Sequence, residues 1–235
     1  MFQNACRDLR PSIFGVRAMT PDVNQPGNFK MSLGSGFLIA PNIIATSAHS
    51  MRDLDSGNQH VSFQVIRSTD IGQNPVDAEL IIQDPHSDVA ILRVPTANFN
   101  DVVRLDGAFQ NKGSMVGTLG FPLSDLTPNG AWGLIERFQH AFISAYTLHS
   151  FYGHNIMFYE TDSLMYGGSS GCPAFNSEGA VIGMQSGFVN SKAGSQISIS
   201  LLAPTTSVIQ LAQANNIIGL NINQAEITVT VSNDN

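Results

Sequence analysis

Charge is what this chain has least of. Of its 235 residues only 12% are Asp, Glu, Lys or Arg, against roughly 25% in an average soluble domain, so Asn, Gln, Ser and Thr must carry the surface. The formal net charge is −7. Nucleic-acid affinity rests on Lys and Arg neutralising phosphates, and this balance argues against a phosphate-binding surface, so no nucleic-acid partner is expected. Cysteine is scarce as well: Cys6 and Cys172 are far apart and only two in number. A small disulfide scaffold would carry more, and both read as small buried apolar side chains rather than as a bridge. No stretch approaches the roughly 20 apolar residues of a membrane span, so no membrane insertion is expected. The first ten residues lack the apolar core of a secretory signal. That leaves a protein that stays inside the cell, or a secreted or periplasmic one whose leader has been removed.

What is present is ample apolar content, 43%, enough for two cores. It is dispersed in short β-rich runs bounded by Gly, Pro, Asn and Asp, at about Ser12–Arg17, Gly34–Ile39, Ile43–Thr46, Val61–Ile66, Ala78–Gln83 and Val89–Val94. This is the spacing of an all-β fold, and six strands suit one small closed barrel. After a linker around Asn98–Lys112, a second set at about Ser114–Leu119, Trp132–Gln139, Ala141–Tyr146, Ile156–Thr161, Pro173–Asn176, Ala180–Ser186 and Gln196–Leu201 predicts a further small barrel. The expected units are residues 1–105, 106–203 and a tail over 204–235. The tail opens with the one stretch that predicts a helix, Thr205–Ala214, with Pro204 and a threonine cap before Val208, Leu211 and Ala212 at helical spacing. Beyond it, Ile217–Leu220 and Ile227–Val231 alternate like a strand that could pair with a barrel edge, join two subunits or lead into a further domain.

Within these runs, Thr161 to Pro173 (Thr-Asp-Ser-Leu-Met-Tyr-Gly-Gly-Ser-Ser-Gly-Cys-Pro) carries Ser170 on a glycine-framed turn directly after a strand. Gly168, without a side chain, allows its N–H and that of Ser170 to point into one small concavity where an oxyanion would form. Two upstream residues complete a set. His49 closes the apolar run Gly34 to His49, with Ser47 and Ala48 leaving room around its ring, and Asp88 stands at the mouth of the apolar run Val89–Val94. A carboxylate buried there calls for a partner. Serine to attack, imidazole to take and return the proton, and carboxylate to hold the tautomer are what nucleophilic acyl transfer needs. A histidine of ordinary pKa, near 6.5, must be neutral to act as base, so activity should rise through neutral pH.

On these motifs the chain resembles the chymotrypsin-fold (trypsin-like) serine proteases, in particular the HtrA/Deg-like branch and the bacterial glutamyl endopeptidases. Gly34-Ser-Gly-Phe37, Thr46-Ser-Ala-His49, Ser87-Asp-Val-Ala-Ile-Leu92 and Thr161 through Pro173 fall in the family's order, over about residues 12 to 212. The resemblance implies two six-stranded antiparallel β-barrels with a C-terminal helix, a catalytic triad of His49, Asp88 and Ser170, and an oxyanion hole from Gly168 and Ser170. It implies polypeptide substrates and no cofactor. It places Leu164, Gln185, Ser186 and Gly187 at the substrate pocket, where the absence of an acid speaks for a small to medium apolar residue. Ser169 stands where digestive relatives have an activating Asp, and Gln185 where glutamate-specific ones have His. Members of the HtrA type often trimerise, so a homo-oligomer is among the implied partners; they also carry a PDZ domain, which the residues after the helix are too few to hold.

Other readings compete at several positions. Asp162 rivals Asp88 as the acid, and Cys172 rivals Ser170 as the nucleophile, although it lies beyond the glycine pair. His60, His86, His140, His149 and His154 read as surface or loop residues, and the spacing of His149 and His154 suits no metal pattern. A protease fold that only grips extended peptides would have the same cleft. An α/β-hydrolase would need Gly-x-Ser-x-Gly and the order Ser, Asp, His, whereas position 172 is Cys and the order here is reversed.

Overall fold

A computed structural model describes residues 2–22, 24–25, 27–52, 60–72, 74–123, 125–126, 132–163, 166–190 and 198–223. The first half forms a closed antiparallel barrel of β1 (Ile13–Pro21), β2 (Phe29–Ala40), β3 (Ile43–Ser47), β4 (Ser62–Arg67), β5 (Val76–Asp84) and β6 (Val89–Arg93), paired in the order β1-β2-β3-β6-β5-β4. All six are the strands expected from the period-two runs. Asn42, in the left-handed region at φ 60°, turns the chain between β2 and β3, a conformation that Asn tolerates. Phe14, Val16, Leu38, Ile44, Val65 and Leu92 fill the barrel.

The second half is an eight-stranded sheet of β7 (Arg104–Asp106), β8 (Met115–Gly120), β11 (Arg137–Phe151), β12 (His154–Thr161), β13 (Pro173–Phe175), β14 (Val181–Asn190), β15 (Ser198–Pro204) and β16 (Asn221–Asn223). They pair in the order β13-β8-β11-β12-β15-β14-β7-β16, with an additional β13–β14 pairing. The two-residue strands β9 (Asp125–Leu126) and β10 (Trp132–Gly133) pair separately. Where the sequence predicts strands at 132–139 and 141–146, β11 runs unbroken for 15 residues with a bulge between Ile143 and Ala145. The inserted residue lets the strand bend without ending. Within the expected linker, β7 pairs in parallel with β14, and β16 in parallel with β7. The tail therefore returns to the sheet edge at Asn221–Asn223, while 227–231 lie outside the described residues.

Helix α2 (Thr205–Ala214) lies where expected and buries Val208 and Ala212. The threonine does not cap it: the Thr205 hydroxyl donates to the Val181 carbonyl at 3.0 Å and ties the helix to β14 instead. Helix α1 (Phe2–Leu9) was not expected. It buries Phe2 edge-on to Phe175 at 5.7 Å between centroids and near Phe138 at 5.4 Å, with Ala5 and Leu9 beneath it. Eight residues are too few for a helix to hold in isolation, so the sheet it covers stabilises it. One continuous core joins the two halves, from Ile13, Phe37 and Ile91 of the barrel to Leu119, Phe175 and Met184 of the sheet.

Phe2→Ala should cost about 3 kcal/mol, as expected for a large buried aromatic. A lower urea midpoint with unchanged slope would report it; an unchanged midpoint would mean that α1 adds nothing to the fold.

Candidate active site

Strand pairing brings the first two site residues together. β3 and β6 are neighbours in register Ser47↔Val89, so His49, opening a short helical turn after β3, and Asp88, one residue before β6, are set side by side. Asp88 adopts φ 54°, a left-handed conformation that suits Asp better than most residues, and its carbonyl accepts from the Ala48 N–H at 3.1 Å. The side chain is 3% exposed. Burying a carboxylate is costly unless it is fully hydrogen-bonded. Here Oδ1 accepts from the His49 backbone N–H at 2.9 Å, and both oxygens lie 3.0 Å from Nδ1.

An ionised carboxylate only accepts, so the proton of the imidazole sits on Nδ1 and Nε2 is left as an acceptor. That acceptor lies 2.9 Å from Ser170 Oγ, whose second neighbour is the Ser186 carbonyl at 3.3 Å. The three residues thus form one unbroken line of contacts. Asp162, the rival acid, is elsewhere: its Oδ1 accepts from the Phe142 N–H at 2.8 Å and fixes β11.

The turn carrying Ser170 is clamped from the barrel side by Ser35, which is wholly buried. The Ser35 N–H donates to the Ser170 carbonyl at 2.7 Å, and its hydroxyl donates to the Gly168 carbonyl at 2.8 Å while accepting from the Phe121 N–H at 3.0 Å. The Ser35 carbonyl accepts from Thr46 Oγ1 at 2.7 Å. Gly168 and Gly171 both adopt left-handed φ values, 89° and 86°, and a Cβ on either would overlap a carbonyl, of Phe121 and of Ser35 respectively. Glycine is therefore required at both. Gly167 accepts from the Leu123 N–H at 2.6 Å, and the Gly171 N–H donates to Gln185 at 2.7 Å.

The remaining sequence-predicted positions divide. Ser186 and Gly187 line a groove of about 450 Å³ together with His49, Gly168 and Ser170. Gln185 is buried, engages Gly171 and Cys172 through its backbone, and has a side-chain amide nitrogen with no partner among the described residues. Leu164 lies outside the described residues. Cys172 packs beneath the turn against Gly120 as a small buried side chain, whereas Cys6 is only half-buried. Desolvation pushes the Cys172 thiol up to about 11, outweighing its hydrogen bonds with Ser35 and Phe121, so it is a thiol rather than a thiolate nucleophile at neutral pH.

Among the other histidines, His60 is not a surface residue: it is buried, with Nε2 3.1 Å from Ser32 Oγ and Nδ1 3.2 Å from Thr20 Oγ1. His149 meets Glu160 at 2.7 Å, and His154 contacts His86 edge-on with centroids 4.4 Å apart.

Sequence reasoning missed Ser35 and the pair Phe151 and Tyr152. Tyr152 stacks on the His49 ring with centroids 5.2 Å apart and planes at 21°, and Phe151 stands edge-on at 5.6 Å. Nothing local in the Phe-Tyr-Gly string says that it forms a turn lying over His49.

In native protein, a thiol reagent near pH 8 should modify at most Cys6, with Cys172 reacting only after denaturation. Rapid reaction of both thiols in the folded state would contradict the burial of Cys172.

The trypsin-like peptidase domain model matches residues 34–184, a span that holds all three members of the Asp88–His49–Ser170 line. Relatives include a probable periplasmic DegP-like serine endoprotease of Halomonas elongata, 28% identical over 83% of this chain and 37% of its own length. Another, of Pseudomonas fulva, is 30% identical over 77% of this chain and 34% of its own. The chain spans about a third of the length of these curated relatives. Among solved structures, the active form of the Rv3671c protease from M. tuberculosis aligns with a TM-score of 0.67 at 24% identity, over 88% of this chain and 82% of that one. The HtrA-type protease AlgW, as a serine-to-alanine variant with a tripeptide, aligns at 0.69 and 20% identity, over 91% and 63%. These likenesses fix the fold as chymotrypsin-like, and with the family model spanning more than half of the sequence, the chain belongs to the trypsin-like peptidase domain family.

Proposed function

We propose that the protein is a serine endopeptidase that cleaves peptide bonds through an acyl-enzyme, with Ser170 as nucleophile. The observation that carries this reading is the continuous contact line from the Asp88 carboxylate through His49 to Ser170 Oγ, at 3.0 and 2.9 Å. His49 Nε2 takes the hydroxyl proton as Oγ attacks and later returns it to the leaving amine. Asp88 stabilises the imidazolium and holds the ring, without becoming protonated.

The backbone N–H groups of Gly168 and Ser170 would receive the oxyanion. Supporting this, the Gly167 carbonyl is drawn to the Leu123 N–H. Across a trans peptide the N–H points opposite to the carbonyl, which turns the Gly168 N–H away from Leu123. Such donors act before charge develops and need no reorganisation during the reaction.

The same proposal treats the second sheet as the second six-stranded barrel of the chymotrypsin type. The pairings β8-β11-β12-β15-β14-β13 return to β8, and the units divide near residue 105, leaving 204–235 as a C-terminal appendage. The substrates are polypeptides. With Ser186 and Gly187 beside the nucleophile and no acid among Leu164, Gln185, Ser186 and Gly187, cleavage should follow small to medium apolar residues rather than Arg or Lys. Assembly into a homo-oligomer belongs to the proposal as well. No helix among the described residues is long and apolar enough to cross a membrane.

A fluorophosphonate should label the protein once, and Ser170→Ala should abolish the labelling. Asp88→Asn keeps the shape of the acid but reverses the histidine tautomer, and should lower kcat by about 10⁴-fold. A wild-type protein that neither labels nor cleaves an unfolded polypeptide would instead be a peptide-gripping module built on the protease fold.

A further inference from the structure

The hairpin joining β11 and β12 reaches from the second sheet over the histidine of the first barrel. Its two-residue turn places Tyr152 at φ 45° and Gly153 at φ 82°, closed by the pair Phe151↔His154. A turn with both central residues left-handed favours Asn, Asp or Gly at its first position. A tyrosine there is held against its backbone preference, and such outliers gather at functional sites. Tyr152 as a residue is 59% exposed, so core packing does not account for it. Instead its ring stacks on the His49 imidazole, and partial desolvation there, with the Asp88 charge, pushes its phenol up.

Phe151 completes the surface. Its ring meets that of Tyr152 edge-on at 4.6 Å. Gly187 has no side chain, and a Cβ there would overlap the Phe151 ring, so the hairpin fills the space over β14 that β14 leaves empty. The hairpin base is braced on the barrel through His154 and His86, the latter two residues from Asp88. Both aromatics line the groove that holds Ser170.

We infer that Phe151 and Tyr152 form the wall of a substrate subsite beside the nucleophile, and that this wall selects an apolar side chain on the residue adjoining the one at the cleaved bond. The inference rests on the proposed endopeptidase activity. Two aromatic faces offer contact area but few hydrogen bonds, so an apolar side chain gains there by leaving water, while a polar one loses its hydration without replacement.

The test compares two peptide substrates that differ only by Leu or Asn, which are close in shape, at that adjoining position. Wild type should favour Leu in kcat/KM by about tenfold or more, in the range of apolar pocket discrimination. Tyr152→Asn, which suits the turn backbone, and Phe151→Leu should each reduce that ratio several-fold, while Tyr152→Phe should keep it. A ratio unchanged in both Tyr152→Asn and Phe151→Leu, in a protein whose wild type is labelled by fluorophosphonate, would overturn the inference and leave the activity standing. Equal acceleration of both peptides would also overturn it, by showing the hairpin to be an obstructing cover. A wild type that is not labelled would sink the endopeptidase reading and this one together.

Discussion

The site depends on one buried serine that performs no chemistry. Ser35 has every polar group engaged: its N–H with Ser170, its hydroxyl with Gly168 and Phe121, its carbonyl with Thr46. Because it belongs to the barrel strand β2 and its partners Ser170, Gly168 and Phe121 belong to the second half, these bonds set the register between the two halves. His49 is fixed to the barrel by Asp88, and Ser170 to the sheet by Gly171 and Gln185. The Ser35 clamp binds the nucleophile turn itself to the barrel that carries His49, whose Nε2 lies 2.9 Å from Ser170 Oγ. Proton transfer tolerates little error in that distance.

Burial makes the clamp stiff. A buried polar group left without its partner costs about 1–3 kcal/mol, so each bond at Ser35 resists being exchanged for water. The same reasoning applies to Asp88, whose burial is offset by hydrogen bonds to a backbone N–H and a ring N–H of one residue. Both residues are buried, Ser35 at 0% and Asp88 at 2% exposure. What the two halves leave between them is a groove with a rigid floor, roofed on one side by the aromatic tip of the β11–β12 hairpin.

Much of this was legible in the sequence because it is local. Period-two runs marked the six barrel strands, and glycines around Ser170 marked a turn that only glycine can make, as Gly168 and Gly171 bear out in their φ values. The trio His49, Asp88 and Ser170 was recognisable by order and by the small residues around each. What escaped depends on distant pairing. Ser35 looked like one small residue in a Gly-Ser-Gly strand, and its role appears only when a turn 133 residues away closes on it. The aromatic hairpin escaped for the same reason. Helix α1 escaped because its apolar residues, Phe2, Ala5 and Leu9, are few, and their meaning depends on the sheet beneath them. The unbroken β11 was split at His140, because the polar pair Gln139 and His140 interrupts the apolar run although the pairing with β8 continues through both.

Ser35→Ala tests the central claim most directly, since it leaves the Asp88–His49–Ser170 residues untouched while removing the hydroxyl that bridges the Gly168 carbonyl and the Phe121 N–H. The rate of Ser170 phosphonylation by a fluorophosphonate, measured on protein shown by circular dichroism to be folded, should fall by about tenfold or more, each tenfold corresponding to about 1.4 kcal/mol of lost positioning. A folded Ser35→Ala protein that is phosphonylated at the wild-type rate would contradict the account, because the Ser35 hydroxyl would then add nothing to the placement of the nucleophile.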